Sequence, residues 1–401
     1  MKFKEKIVIV GAGVAGINAA TKLIDNGYPG ELITIIDKGL DPYKRPTNEV
    51  MLGYAGAGLF SDGKYCYLSN VVGGHLTKYC GEEKAQQLVD EGLEILKRFH
   101  PDSSKIMYSA PKEEPEFIKP YFNLRLAPTY HIGTNYLHEM GKKWFDYLVE
   151  KGVKFEWEME VTGLYFQYNL VIFKDKNNIK KQLIYDKLIY CTGKSGIDLT
   201  QKLIDNYQLK KESKSVQIGV RMEVPQKYFD KLIETAYDFK LHQRPNNKVS
   251  LRTFCTNNFC AYVAEETTYG MKSYNGHSFK DEAMRNNMTN FGILMEVKGI
   301  ENPFEWQKEL VLKCQIKGTG GMYYSPNKTR KPSLSAEGEE LNVSELDNLD
   351  WFKVIYKEYA DYIINFIEDL NKIFKFEEDY GIYIPEVKFL SEEVLVNYNN
   401  L

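Results

Sequence analysis

The chain has 401 residues, 43% of them hydrophobic and 27% charged, with a formal net charge of −3. That length holds two domains, or one domain with a large insertion, and the composition is too apolar for disorder. A charge so close to zero gives no broad basic face of the kind that binds nucleic acid.

In chain order, the first element is "KIVIVGAGVAGINAATKLIDNGYPGELITIIDK", residues 6–38. It reads as an apolar strand, a glycine turn, a helix, a second apolar strand and an acid. Gly11, Gly13 and Gly16 form GxGxxG in the context that gives this motif meaning, after a strand and before a helix. Gly11 permits the tight turn, Gly13 lets the backbone of Ala12, Val14 and Ala15 approach a pyrophosphate, and Gly16 with Ala20 lets the helix lie close on the sheet. Phosphate oxygens then face free N–H groups at the helix N-terminus. Ile17, Ala20, Leu23 and Ile24 form the apolar face, and Gly27 ends the helix. Asp37, with Lys38 behind it, ends the second strand. Its carboxylate can accept both hydroxyls of an adenosine ribose and would repel a 2′-phosphate. The stretch predicts a dinucleotide site and leaves FAD and NAD open.

Next comes "GYAGAGLFSDGKY", where Gly53, Gly56, Gly58 and Gly63 let backbone approach a flat ligand closely. Ser61, Asp62 and Lys64 add polar groups. Lys64 is either a solvated loop residue or a cation that stabilises an anionic reduced ring. "KAQQLVDEGLEILKRF" (84–99) predicts a helix with Ala85, Leu88, Val89, Gly92, Leu93 and Leu96 on one side. His131, in "YHIGT", is a proton shuttle, a structural group or a helix cap. A helix opens near Thr134 with Leu137, Met140, Trp144, Tyr147 and Leu148 on one face. "GVKFEWEMEVTGLYFQYNLVIFKD" then alternates like a small meander, and "KLIYCTG" is an apolar strand stopping at Thr192-Gly193.

From about 213 to 335, strands alternate with turn clusters such as "RPNNK" and "KGTGG". Arg221 and Arg252 suit either a substrate carboxylate or ordinary salt bridges. The six cysteines form no CxxC and the histidines no HxxxH, so neither zinc nor a disulfide framework is expected. Cys191 reads as a core residue, and Cys255 and Cys260 as structural thiols with a redox alternative. Ser344 with Asp347 predicts the cap of one long helix bearing Phe352, Ile355, Tyr359, Ile363, Phe366 and Leu370, packed on the core or against a second chain. No stretch approaches the ~20 apolar residues of a membrane span, and "MKFKEK" before Ile7 is too short for a signal peptide. The expectation is a cytoplasmic protein.

The order of strand, meander and Thr-Gly strand resembles the glutathione-reductase-like and hydroxylase-like FAD proteins. That resemblance implies backbone contacts to adenine from Val161 and a strand ending in Thr192 and Gly193 passing under the cofactor. Several stretches are also similar to the FAD-dependent dehydrogenases of bacteria and archaea, a family of largely unassigned substrate: "YAGAGLFSDGKY" (54–65), "PTYHIGTNYL" (128–137), "SVQIGVRMEVPQ" (215–226), "FCTNNFCAYV" (254–263), "NGHS" (275–278) and "IYIPEVKFLSEEVLVNY" (382–398). The resemblance implies an α/β fold, with a Rossmann-type FAD-binding domain (1–200 plus 382–401) and an inserted mixed α+β substrate domain (201–381). It implies FAD as cofactor, with hydride passing between a small organic substrate and flavin N5, and with NAD(P)H as a possible donor or acceptor.

Two features depart from the family's pattern. Asn257 stands where a second cysteine often follows Cys255. The family also carries a Gly-Asp segment that holds the flavin ribityl chain, and no Gly-Asp pair occurs in this sequence. The expectations left open are a shortened chain, a homo-oligomer or partner chain completing the FAD site, and weakened FAD binding. The alternatives to an enzyme with bound FAD are a nucleotide-binding subunit that needs a partner and an NAD-linked dehydrogenase.

Overall fold

The computed structural model describes residues 4–46, 51–59, 61–68, 76–110, 112–126, 128–212, 215–268, 270–315, 319–388 and 393–395. Ile7–Val10, four β-branched residues buried throughout, form strand β1, as an interior position in a parallel sheet requires. The chain turns at Gly11, follows helix α1 (Val14–Asp25) and returns along β2 (Ile33–Ile36), paired from Ile7↔Ile33 to Val10↔Ile36. α1 ends where Gly27, at φ 80°, donates its N–H to the Ile24 carbonyl. A second passage, through α2 (Leu76–Phe99) and α3 (Thr134–Glu150), leads to β3 (Lys154–Glu156). Gly81, at φ 76° and ψ 168°, breaks α2, so its buried stripe of Ala85, Val89 and Leu93 lies beyond the break. β4 (Lys187–Tyr190) joins the far side of β1, giving the all-parallel order β4-β1-β2-β3.

The second layer system is an eight-stranded sheet. Its long strands are β5 (Val216–Pro225), β7 (Val249–Phe259), β8 (Met288–Val297) and β11 (Gly381–Lys388). With β6 (Lys240–Gln243), β9 (Gly321–Tyr324) and β10 (Val343–Leu346), the order is β10-β9-β11-β5-β8-β7-β6, and Asn123–Arg125 pairs outside β6. Helices α4 (Pro303–Cys314), α5 (Asp350–Tyr356) and α6 (Ala360–Phe374) cover one face. There Ile218, Val220, Met222, Ile293 and Met295 meet Leu310, Phe352, Ile363, Phe366 and Leu370 in the larger core. The opposite face carries Arg221, Glu223, Asn290 and Glu386, all buried.

Four sequence expectations change. The long helix capped by Ser344 and Asp347 is two helices, because Lys357 takes φ 50° between them, and Ser344 lies in β10. Its apolar stripe survives the break: Phe352, Ile355, Ile363, Phe366 and Leu370 are all buried. The described start of segment 382–401 belongs to the large sheet, where β11 lies between β9 and β5, both of its faces buried through Val387. Asn123–Arg125, placed with the first domain, is an edge strand of that same sheet. Finally, the first strand of the expected meander, Lys154–Glu156, joins the parallel sheet. The meander is Glu160–Tyr165, Leu170–Lys174 and Lys180–Ile184.

Candidate functional site

The glycine turn stands at the C-terminal edge of the parallel sheet. Gly11 has φ 103°, and a Cβ there would fall 2.3 Å from the Cys191 carbonyl oxygen. A Cβ on Gly16 would fall 2.0 Å from the Gly11 carbonyl oxygen, so this glycine is required for α1 to start so close to the turn. A Cβ on Gly13 would meet nothing within 4 Å. The turn is therefore closed by backbone on two sides and open at Gly13, the N-cap of α1, which supplies no side-chain cap. The first-turn N–H groups, those of Val14, Ala15 and Gly16 among them, have no intrahelical acceptor and carry the positive end of the helix dipole.

Asp37 directly follows β2, and its carboxylate accepts the Ala12 N–H at 2.7 Å and the Gly39 N–H at 2.8 Å. Gly11, Asp37, Lys38, Val161 and Thr192 all line one cavity of about 80 Å³. Lys38 Nζ donates to the Ser195 carbonyl at 2.6 Å and so bridges two walls of that cavity. It is well below the ~300 Å³ at which ligand pockets begin, so an adenosine must displace that lysine. Gly193, at φ 56°, also faces open space within 4 Å.

The loop 53–59 lies beside the turn. Ala55 N–H donates to the Ala12 carbonyl at 2.7 Å, and Gly13 and Ala55 form a parallel bridge. Gly58 lies so close to α1 that a Cβ would fall 2.3 Å from Val14 Cγ2. Gly56, at φ 51°, takes a conformation suited to glycine. Arg45 holds the loop in place: it is buried and donates from one nitrogen to the carbonyls of Tyr54 (2.6 Å) and Gly56 (2.8 Å). Sequence reasoning missed Arg45, whose only signal was a basic residue shortly before a glycine-rich loop. A cavity of about 520 Å³ opens on the other side of this loop, lined by Val14, Gly58, Ser61, Gly63 and Lys64 and by α2 and α3 up to Trp144. Among the described residues, none from the large sheet lines it. Phe60 lies outside the described residues.

Beyond the loop, Asp62 and Lys64 reach the large sheet. Lys64 Nζ pairs with Asp62 (2.9 Å) and Asp238 (3.3 Å) and donates to the Thr256 carbonyl. Burial works against the ammonium, but Asp238 and Asp62 outweigh it and hold the lysine firmly protonated. Burial likewise works to raise Asp62, while Lys64 and the Cys255 thiol, which donates to it at 3.0 Å, bring it below the usual carboxylate range. Asp238 also pairs with Lys240 at 2.5 Å. Lys64 and Lys240 together are thus matched by two carboxylates, Asp62 and Asp238. Ser61 turns inward: its Oγ accepts the Gly63 N–H at 3.1 Å, and its carbonyl accepts the Thr134 hydroxyl at 3.0 Å.

His131 pairs across strands with Lys64. Only 2% of it is exposed, and neither ring nitrogen has a hydrogen-bond partner among the described residues. Burial, with Lys64 and Lys280 adding like charge, depresses it to about 4, so the ring is neutral near pH 7. Arg221 is fully buried and donates to Glu386 (2.9 Å) and Asn290 (2.7 Å), the ordinary salt-bridge arrangement. Burial, followed by the Asp62 charge, pushes the Cys255 thiol up to about 12, which leaves it a poor nucleophile. Among the described residues no group of His, Cys, Asp and Glu could hold a metal ion, and no helix is long and apolar enough to cross a membrane.

No family model matches the sequence, and no curated protein matches it. Among solved structures, the chain is similar to a flavoprotein/dehydrogenase from Cytophaga hutchinsonii at 13% identity and a TM-score of 0.37, over 76% of this chain and 57% of that one. It is similar to the halogenase PltM at 12% identity and 0.34, over 77% and 56%. With the tetracycline destructase Tet(51) the figures are 9% and 0.37, over 96% and 71%. The chain spans little more than half the length of the first two. Likenesses this slight say nothing about the chemistry, which rests on the residues.

Proposed function

We propose that the chain is a FAD-dependent oxidoreductase acting on a small organic substrate. The observation that carries this reading is the meeting of Gly11, Asp37, Lys38, Val161 and Thr192 around one cavity beside an uncapped helix N-terminus. These residues are 181 positions apart at the extremes; Gly11, Asp37, Val161 and Thr192 each suit one part of an adenine dinucleotide, and Lys38 spans the cavity between them. The donor set fits the group: backbone N–H groups for the pyrophosphate, a carboxylate for the ribose, and the open faces of Gly13 and Gly193 for close approach. Gly56 and Gly58, next to Gly13, extend the same backbone surface toward residues 61–64, where the flavin ring is expected. When bound, FAD supplies hydride transfer. The turn at Gly11–Gly16 would hold its pyrophosphate and Asp37 its ribose, while the chain keeps Lys64 charged and His131 neutral.

The test is the visible spectrum of the purified chain, with and without Gly13→Ala. A yellow protein that bleaches with a reductant supports the reading. Gly13→Ala should weaken FAD binding tenfold or more at unchanged stability, since its methyl group meets only the space a phosphate would take. A colourless chain that takes up no FAD, alone or on titration, overturns it. Binding of NADH by such a chain would favour the NAD-linked alternative.

A further inference from the structure

The polar face of the large sheet carries two cations, Lys388 and Arg252, that make no ion pair with its carboxylates among the described residues. Register places Lys388 of β11 beside Gln217, Gln217 beside Glu296, and Glu296 beside Ser250 of β7. Two residues along, Glu386, Gly219, Leu294 and Arg252 form the next row on the same face, and Arg221, Gly292 and Phe254 follow in the third. Glu386 is engaged by Arg221 at 2.9 Å. Glu296 is the carboxylate that acts most on Arg252, but it accepts the hydroxyls of Ser215 and Ser250 and makes no ion pair with that arginine among the described residues. Lys388 likewise has no carboxylate partner among the described residues. Its Nζ sits 4.2 Å from the centre of the Phe254 ring. Gly292 permits this arrangement, because a Cβ there would fall 2.2 Å from Phe254 Cε1.

Lys194, beside the Thr192-Gly193 turn, acts on the patch through its charge. Burial lowers Lys388 to about 8, and Arg252 and Lys194 add like charge, against the opposing effect of Cys255 and Glu386. Lys194 directly follows Thr192 and Gly193, the turn whose open side has no atom within 4 Å of an added Cβ. A lysine kept half-buried among like charges is costly on its own and is relieved by a bound anion. A carboxylate offers one oxygen to Lys388 and one to Arg252, both of which lie beside Phe254 on this face without an ion pair among the described residues.

We propose that Lys388 and Arg252 bind the carboxylate of the substrate, which makes the substrate a small carboxylic acid. This deepens the FAD-dependent reading and rests on it. The test titrates the purified full chain with benzoate and succinate and with the matched amides, benzamide and succinamide, by calorimetry and by the flavin absorbance. A carboxylate should bind at least tenfold more tightly than its amide. Lys388→Met and Arg252→Met should each cost tenfold or more, and Lys388→Arg should retain most of the affinity, all with FAD affinity unchanged and the melting temperature not lowered. Equal binding of acid and amide, no heat from either carboxylate, tighter binding of inorganic phosphate, or indifference to Lys388→Met would overturn the proposal. A yellow chain that ignores carboxylates sinks this inference alone. A colourless chain that binds them through Lys388 sinks the flavin reading and leaves the anion site standing.

Discussion

The Asp37 carboxylate and the Ala12 N–H are joined by a 2.7 Å hydrogen bond, so the acid after β2 braces the glycine turn after β1. The same carboxylate holds the Gly39 N–H at 2.8 Å through its other oxygen. It therefore works in the fold before any ribose reaches it. Replacing it removes two charge-assisted bonds, each of a kind that contributes about 1.5–3 kcal/mol. Asp37→Ala is expected to lower stability by about 3 kcal/mol or more, while Asp37→Asn keeps an oxygen for Ala12 and should cost less. FAD affinity should fall in both, because neither can accept two ribose hydroxyls. Urea denaturation and flavin titration of the two variants separate the roles. Full FAD affinity in Asp37→Asn would exclude the ribose contact.

The two other fingerprint glycines predict a contrast. Gly16→Ala places a methyl carbon 2.0 Å from the Gly11 carbonyl oxygen, a backbone atom that cannot step aside. The start of α1 must then move away from the turn, at a cost of about 1–3 kcal/mol. Gly13→Ala meets nothing and should leave the melting temperature within error. Equal melting temperatures for Gly16→Ala and the parent would mean that α1 does not sit as close to the turn as the geometry requires.

Why these positions were legible, and others not, follows from the range of the forces. The roles of Gly11, Gly13, Gly16 and Gly27 depend on a few neighbouring residues, so spacing alone reveals them. Asp37 was legible for its place after β2, but its bond to Ala12 was not, because it depends on β1 and β2 lying side by side. β11 reads as an apolar strand from its sequence. Nothing local says that it pairs with β5, more than 150 residues earlier, instead of returning to the parallel sheet. The break at Lys357 had no glycine or proline to mark it. Lys64 looked like a free cation because its second carboxylate, Asp238, lies 174 residues away.

Lys64, Asp62 and Asp238 form a buried node joining the loop to the large sheet. Removing one member of a buried ion pair costs about 3–5 kcal/mol, because the partner's charge is left uncompensated. Lys64→Met should show that loss in chemical denaturation. Asp238 retains Lys240, so Asp62 is the carboxylate left most exposed to it. Adding Asp62→Asn to Lys64→Met should then recover part of the stability. Simple additivity of the two substitutions would show that the pair does not interact.

His131 predicts an acid limb. Its ring is depressed to about 4 in the folded chain, against an ordinary value near 6.5, with burial the main cause. Between those values the unfolded chain binds a proton that the folded chain refuses, so stability falls as the pH drops through this window. From pH 7 to pH 5 the loss from this residue is about 2 kcal/mol. His242 is also held at about 4 by burial, with Arg252, Arg125 and Lys240 adding like charge, and it steepens the same limb, so the comparison must be made by difference. His131→Phe keeps a ring against Tyr237, whose centroid lies 5.1 Å away, and removes two buried nitrogens that have no described partner. It should be at least as stable as the parent at pH 7 and should lose about 2 kcal/mol less on going to pH 5. Parallel pH profiles for the two proteins would mean that His131 titrates normally, and would restore it as a base available near pH 7.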